Sequence, residues 1–276
     1  MVETMKRFRQ QFLAGLVLLL IASTAALLAH DKWSRQLPDY AYLTGWALFG
    51  LMLLLTLFNA RKRLPFLPLC KAETWLQIHI YGGFFTVILF LIHLNFRAPR
   101  GGFEITLAAL FMVVTLSGIG GLILSRTLPK RLQSRGGEVV YEKIPAIRHA
   151  LKVQAEMLAL GAGKNSPVIA EFYVRRLAGF FNGPQNFWRH LLESRRPVNL
   201  RLAELYDLRR HLSEPERVTL EQLAQLLRQK DGLDYHRALQ ASLKLWLFVH
   251  LPFTYGLMLF TLAHIVVVFA FSGGVR

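Results

Sequence analysis

Long apolar segments alternate along the chain with shorter polar or basic connections. Five such segments contain 18 or more residues each, almost all of them uncharged. An α-helix needs about 20 apolar residues to cross the hydrocarbon core of a bilayer. The pattern therefore predicts an all-α integral membrane protein with five transmembrane helices packed as a bundle. The segments are Phe12–Ala29, Tyr40–Phe58, Trp75–Phe96, Ile105–Leu124 and Leu243–Phe271.

The first apolar segment has the basic start and apolar middle that are also typical of a secretory signal peptide. It is long for the apolar region of a signal peptide, and no clear small-x-small cleavage site precedes Asp31. We therefore expect an uncleaved membrane helix.

A polar and basic stretch separates the fourth apolar segment from the fifth. Its apolar residues recur at helical spacing between breaks that contain glycine or proline. The chain is thus expected to divide into residues 1–126 with helices one to four, a helical insertion at 127–240, and residues 241–276 with the last helix and a short tail. The insertion helices are predicted at Ala146–Leu160, Val168–Phe181, Asn186–Glu193, Leu200–Leu212 and Leu220–Leu227, the last capped by Thr219.

Basic residues cluster at three places: before the first segment, after the second and after the fourth. All three lie on one side of the membrane if the N-terminus is cytoplasmic, as the positive-inside rule requires. The insertion is then cytoplasmic and the C-terminus periplasmic, in the inner membrane of a bacterium. In this topology the third and fifth helices run in the same direction.

The overall composition agrees with a membrane protein, since 53% of the 276 residues are hydrophobic and only 18% are charged. The net charge of +16 is explained by basic loops and anionic lipid rather than by nucleic acid, which we do not expect as a partner. Cys70 is the single cysteine, so the chain forms no internal disulfide and cannot ligate an iron–sulfur cluster alone.

Two of the apolar segments each carry two histidines that are 14 positions apart: His79 with His93, and His250 with His264. Fourteen residues of α-helix advance about 1,400°, close to four turns, so both members face the same way about 21 Å apart. Parallel helices then place His79 beside His250 and His93 beside His264.

Ionisable residues inside a membrane helix are costly and suggest a function. A pair of histidines on facing helices can hold haem iron from both axial sides. We therefore expect two haem b groups, with His79 and His250 on the iron of the cytoplasmic-side haem and His93 and His264 on that of the periplasmic-side haem. A single haem, another metal ion and a proton relay remain as alternatives.

Basic residues near the ends of the histidine helices are candidate contacts for haem propionates, although anchoring at the membrane boundary explains them equally well. Arg97 and Arg100 are the candidates on the outer side. Those on the inner side are Arg61, Arg63, Lys71 and Lys244.

The other histidines lack ligand spacing, and nothing inside the apolar segments resembles the catalytic centre of a hydrolase. We expect these histidines to lie at the surface. They are His30, His149, His190, His211 and His236.

The histidine pattern resembles two families of b-type cytochromes. Cytochrome b of respiratory quinol-oxidising complexes has two such pairs on parallel helices, with thirteen residues between the members of each, as in His79/His93 and His250/His264. The ferric-reductase and NADPH-oxidase transmembrane domain has similar pairs on its third and fifth helices, which is the helix order found here. In that family the second pair is commonly one residue closer, and a sixth helix and a flavin domain often follow.

These resemblances imply transmembrane electron transfer by a di-haem cytochrome b subunit of a larger redox complex. Quinone or a partner protein is expected at one end of the path and a periplasmic partner, such as a c-type cytochrome, at the other. One alternative is a ferric-reductase-like oxidoreductase fed by a separate flavoprotein. The other is a non-redox assembly or transport protein that uses its intramembrane histidines for protons or a metal.

Overall fold

The computed structural model describes residues 2–58, 72–133, 139–161 and 167–272, which are helical or connect helices, with no strand among them. The chain separates into two compact units, Met1–Leu122 with Trp246–Arg276, and Ile123–Leu245. We call them the apolar unit and the polar unit. The expected all-α architecture is confirmed.

The apolar unit is built from the long hydrophobic helices. The helices that contribute to this unit are α1 (Val2–Trp33), α2 (Tyr40–Thr56), α3 (Ala72–His93), α4 (Gly102–Gln133) and α10 (Glu214–Ser272). The backbone of α3 packs closely against α1 and α2. Trp246 of α10 packs against Gly121 of α4 and donates a hydrogen bond from Nε1 to the Ser117 carbonyl (2.7 Å).

Four of these helices are long and apolar enough to cross a membrane, by length and composition. The second predicted segment, Tyr40–Phe58, forms α2, which is apolar but only 17 residues long. Several apolar helices of spanning length are therefore present, as expected for a multi-pass membrane protein. The four longer candidates are Phe12–Trp33, Glu73–His93, Gly102–Gln133 and the helix Glu214–Phe271.

The third helix ends earlier than its apolar pattern suggests. Asn95 and Phe96 both adopt positive φ angles, 50° and 54°, and the Phe96 N–H bonds the Leu91 carbonyl (2.9 Å). This left-handed turn satisfies carbonyls that the helix end leaves without partners. His93 consequently occupies the last position of α3.

The polar unit contains the shorter helices, packed around one apolar core that includes Leu177, Leu205 and Leu223, each fully buried. The helices of this unit are α5 (Ile144–Gly161), α6 (Pro167–Phe172), α7 (Ala178–Phe181), α8 (Phe187–Leu191) and α9 (Arg196–Asp207). α6 and α7 form one helical stretch that is interrupted by a π-helical segment, Tyr173–Leu177.

The predicted helices Leu220–Leu227 and Leu243–Phe271 are not separate, because α10 continues without a break from Glu214 to Ser272. Its start lies before Thr219, whose hydroxyl donates to the Pro215 carbonyl instead of capping the helix. The Ser213 N–H and hydroxyl both donate to the Glu216 carboxylate at 2.6 Å, so Glu216 supplies the carboxylate half of a capping box. The polar residues that follow Leu227 belong to the helix, and several of them are buried.

Candidate functional site

His93 and His264 face each other inside the apolar unit. Their ring centroids lie 6.4 Å apart, and the ring planes are perpendicular. Two imidazoles that bind one metal ion from opposite sides, each through a bond of about 2 Å, have ring centroids about 6 Å apart. The two rings are therefore placed at the separation that an axial pair requires.

An apolar cavity of about 370 Å³ adjoins this histidine pair. Its volume falls within the range of about 300–1,000 Å³ that is typical of cofactor and ligand pockets. Side chains of four helices line it, and both imidazoles form part of its wall. Besides His93 and His264, the lining includes Gly45, Met52, Phe90, Phe111, Leu257 and Thr261.

Two consecutive residues of α2, Thr44 and Gly45, fix the His93 ring. The single hydroxyl hydrogen of Thr44 is donated to the Ala41 carbonyl (3.0 Å), so Oγ1 accepts the hydrogen of His93 Nδ1 at 3.3 Å. This bond leaves Nε2 as the ring nitrogen with a free lone pair, which is the form that binds a metal ion. Gly45 leaves room for the ring, since a Cβ there would lie 3.0 Å from His93 Cε1.

A hydroxyl residue followed by glycine also contacts His250, here on α4. Ser117 donates its hydroxyl hydrogen to the Val114 carbonyl (2.8 Å) and accepts from His250 Nδ1 at 2.8 Å. The next residue is again a glycine, and a Cβ on Gly118 would lie 3.7 Å from His250 Cε1. Trp246 stacks on the His250 ring at 5.5 Å and 22°, so hydrogen bond and stacking together hold this imidazole.

His79 is the remaining predicted partner of His250. Phe58 lies against His79 with ring centroids 4.8 Å apart. At the other pair, Phe103 stacks on His264 with a centroid distance of 6.3 Å and an interplanar angle of 15°. The structure thus places His93 beside His264, while the pairing of His79 with His250 stays a prediction.

Between the two histidine pairs lies a layer of apolar side chains. Phe90 and Phe111 stack at 4.1 Å, and Leu257 lies at the midpoint of the sequence between His250 and His264. We call this group the middle layer. Its buried members are Leu48, Met52, Leu89, Phe111 and Leu257, and its partly buried neighbours are also apolar.

Only some of the candidate propionate contacts fall within the described residues. Arg97 and Arg100 are exposed in the connection that follows His93. Lys244 is paired with Glu142 at 2.8 Å and lies over the Tyr141 ring at 3.8 Å. Three others, Arg61, Arg63 and Lys71, lie outside the described residues.

The expectation that the remaining histidines lie at the surface is wrong for His190 and His236, whose exposures are 2% and 3%. Both are in the polar unit, where His190 Nε2 lies 3.8 Å from the Asp231 carboxylate. His30 is half-buried between Tyr40 and Phe96. His149 and His211 are exposed, as expected.

A buried ion pair accompanies these histidines. Lys230 and Asp234 are both inaccessible and bond at 2.5 Å, with a second bond from Lys230 Nζ to the Gly183 carbonyl (2.7 Å). Burial lowers the pKa of Lys230 and raises the pKa of Asp234, while their mutual attraction opposes both shifts. The pair is best explained as structural.

No protein-family model, curated protein or solved structure matches this chain. Within the residues that the structure describes, no group of three or more His, Cys, Asp or Glu side chains is placed to hold a metal ion. An axial histidine pair supplies only two protein ligands to iron, because the haem macrocycle supplies the rest. The case for a site therefore rests on the histidines and their immediate neighbours.

Thr44, Gly45 and Ser117 were not among the residues predicted from the sequence. A signal was present, because a hydroxyl residue followed directly by glycine occurs in both α2 and α4. In an apolar helix, however, a hydroxyl commonly bonds its own preceding turn. Only the packing of the helices shows that each oxygen also accepts from an imidazole.

Proposed function

We propose that this chain is a five-helix membrane cytochrome b that carries electrons across a bacterial inner membrane through two haem groups. In this proposal His79 and His250 ligate the cytoplasmic-side haem, and His93 and His264 the periplasmic-side haem. The N-terminus and the polar unit are cytoplasmic, and the C-terminus is periplasmic.

The observation that carries the proposal is the His93–His264 pair: two rings 6.4 Å apart, beside an apolar cavity of about 370 Å³. A proton relay does not need this separation or a cavity of this size, and it would favour polar surroundings. The cavity wall is almost entirely apolar, which suits the faces of a macrocycle.

Bound haem would supply one-electron chemistry at each pair. The protein residues would fix the ligands and exclude water. The hydroxyls of Thr44 and Ser117 hold His93 and His250 in the tautomer with the hydrogen on Nδ1. Hydrogen bonding at Nδ1 also raises the basicity of the coordinating nitrogen, so these two residues would tune the affinity and potential of their sites.

Electrons would enter and leave through redox partners. A subunit of a larger redox complex is the proposed setting, with quinone or a partner protein at one end and a periplasmic protein, such as a c-type cytochrome, at the other.

The first test is a reduced-minus-oxidised absorption spectrum with haem quantitation on purified protein, compared among wild type, His93→Ala and His250→Ala. We expect two b-type haems per chain in the wild type and one in each variant. His149→Ala, which changes an exposed histidine of the polar unit, is the matched control and should retain both.

Two further results would decide the matter. His93→Gly should regain the lost haem when imidazole is added, which separates loss of a ligand from loss of the fold. A wild-type protein without haem, expressed with adequate haem supply, would refute the proposal.

A further inference from the structure

A short segment of the polar unit presents two unusually exposed apolar side chains. Trp188 and Leu192 are 73% and 81% exposed, more than any other large hydrophobic residue described in this unit. They are four positions apart and are linked by a hydrogen bond from the Leu192 N–H to the Trp188 carbonyl (3.1 Å), so they lie on one face of the same turn. Phe187 packs edge-on against Trp188 at 5.2 Å.

This segment is attached to the parts of α4 and α10 that adjoin the apolar segments. Leu191 packs on a cluster formed by Leu128, Tyr235 and Leu239, which Leu124 and Leu243 also contact. The apolar segment of α4 ends at Leu124, and that of α10 begins at Leu243. On the predicted spans, the exposed pair therefore lies near the residues of the polar unit at which α4 and α10 would leave a bilayer.

Arg131 fixes the segment at this level. Its guanidinium NH2 donates to the carbonyls of His190 and Leu191 at 3.0 and 2.8 Å, and its Nε pairs with Glu193 at 2.5 Å. The connection after Leu191 cannot swing away from α4 without losing these three bonds.

The charge around the exposed pair is positive. Arg189, Arg195 and Arg196 are exposed, and none forms an ion pair within the described residues. The one acidic residue of the segment, Glu193, is already paired with Arg131. Exposed Trp and Leu at the boundary of a bilayer, flanked by arginines, form the combination that binds anionic lipid at the headgroup level.

We propose that Trp188 and Leu192 insert into the headgroup region of the same membrane that α4 and α10 enter, and that Arg189, Arg195 and Arg196 bind anionic lipid phosphates there. The occupant of this surface is the lipid bilayer, because the segment lies at the level of the boundary and carries matching charge. Its role is to hold the polar unit against the membrane at a fixed height.

The test places a fluorescent NBD label at Leu192→Cys, in full-length protein with Cys70→Ser, reconstituted in nanodiscs that contain lipid with a nitroxide on the headgroup. Val218→Cys is the matched control, since Val218 is also exposed and apolar (60%) but lies about 37 Å along α10 from Leu243. We expect at least threefold stronger quenching at position 192 than at 218, and a blue-shifted emission at 192.

A comparison of lipid compositions tests the arginines. In nanodiscs rich in phosphatidylglycerol, quenching at 192 should exceed that in pure phosphatidylcholine, and replacing the three arginines by glutamine should abolish the difference. Equal, weak quenching at 192 and 218 in both lipids would overturn the proposal and point to a protein partner on this surface. Equal quenching at position 192 in the phosphatidylglycerol-rich and the pure phosphatidylcholine nanodiscs would overturn the proposal that the arginines recognise anionic lipid. Unchanged thermal melting checks that each variant is folded.

Discussion

Replacing Ser117 by alanine removes the hydroxyl that accepts the hydrogen of His250 Nδ1 and leaves the surrounding contacts in place. The Trp246 indole bonds the backbone carbonyl of residue 117, not its side chain, and Trp246 still stacks on His250. The ring should therefore stay near its position but lose the bond that fixes its tautomer. Loss of such a partner typically costs 10- to 100-fold in metal affinity, or about 1.4–2.7 kcal/mol.

The hydrogen bonds of the two sites differ in length, which sets the expected order of effects. The Ser117–His250 bond is 2.8 Å and the Thr44–His93 bond is 3.3 Å, and hydrogen bonds weaken as the distance grows. Ser117→Ala should thus weaken binding at its haem site by about 10- to 100-fold, and Thr44→Ala should weaken binding at the other site by less.

Haem titration of the apo-protein, with a redox titration of the loaded form, measures both effects. Ser117→Ala should release one of two haems and raise the midpoint potential of that site, since a less basic imidazole stabilises ferric iron less. Ser117→Thr keeps a hydroxyl and should behave like wild type. Equal affinity and potential in wild type and Ser117→Ala would refute the role assigned to this hydroxyl, and haem loss from both sites at once would indicate general unfolding instead.

Three other substitutions test separate parts of the structure. Gly45→Ala places a Cβ 3.0 Å from an atom of the His93 ring and should reduce the haem content at that site by half or more, as measured by the absorption spectrum. Gly50→Ala in the same helix is the control, since its Cβ meets nothing within 4 Å, and it should retain full haem. Tyr173→Phe removes a buried hydroxyl that has no hydrogen-bond partner in the described residues. Burial raises the pKa of Tyr173 from 10.0 to about 12, so the stability that the neutral phenol contributes is complete below pH 10 and is lost as the pH rises through about 12. The melting temperature of Tyr173→Phe should therefore fall less over that interval than that of wild type, and a constant difference between the two would contradict this account. Lys230→Met leaves the Asp234 carboxylate buried without its cation and should lower the free energy of unfolding by about 3–5 kcal/mol, measured by thermal or denaturant unfolding. Adding Asp234→Leu should recover part of the loss. A Lys230→Met variant as stable as wild type would show that the ion pair does not stabilise the fold.

The long apolar helices, and the shared face of two histidines 14 positions apart on one helix, could be predicted because both depend on local pattern. A run of about 20 apolar residues is sufficient to indicate a helix of spanning length, and a 14-residue spacing fixes a shared face whatever surrounds it. The helices of the polar unit were also indicated by apolar spacing. The apolar spacing predicts α10 in two pieces, Leu220–Leu227 and Leu243–Phe271, because the residues after Leu227 are largely polar.

Features that depend on tertiary contacts could not be predicted in the same way. His190 and His236 look like surface residues in the sequence, and their burial results from the packing of distant segments against α10. Thr44 and His93 are separated by 49 positions and Ser117 and His250 by 133, so no local pattern pairs them. The end of α3 after His93 depends on a left-handed turn at Asn95 and Phe96 that an otherwise continuous apolar segment conceals.

The middle layer has a consequence for the energetics of charge transport. Its members and packed neighbours among the described residues are all apolar, so the layer itself offers a proton no titratable group, and the unfavourable transfer of an ion into hydrocarbon applies within it. An electron that passes between the two histidine levels would cross without a compensating proton. Such a step is electrogenic, and each electron would do or receive work of about 2.3 kcal/mol per 100 mV of membrane potential, in proportion to the fraction of the field that it crosses.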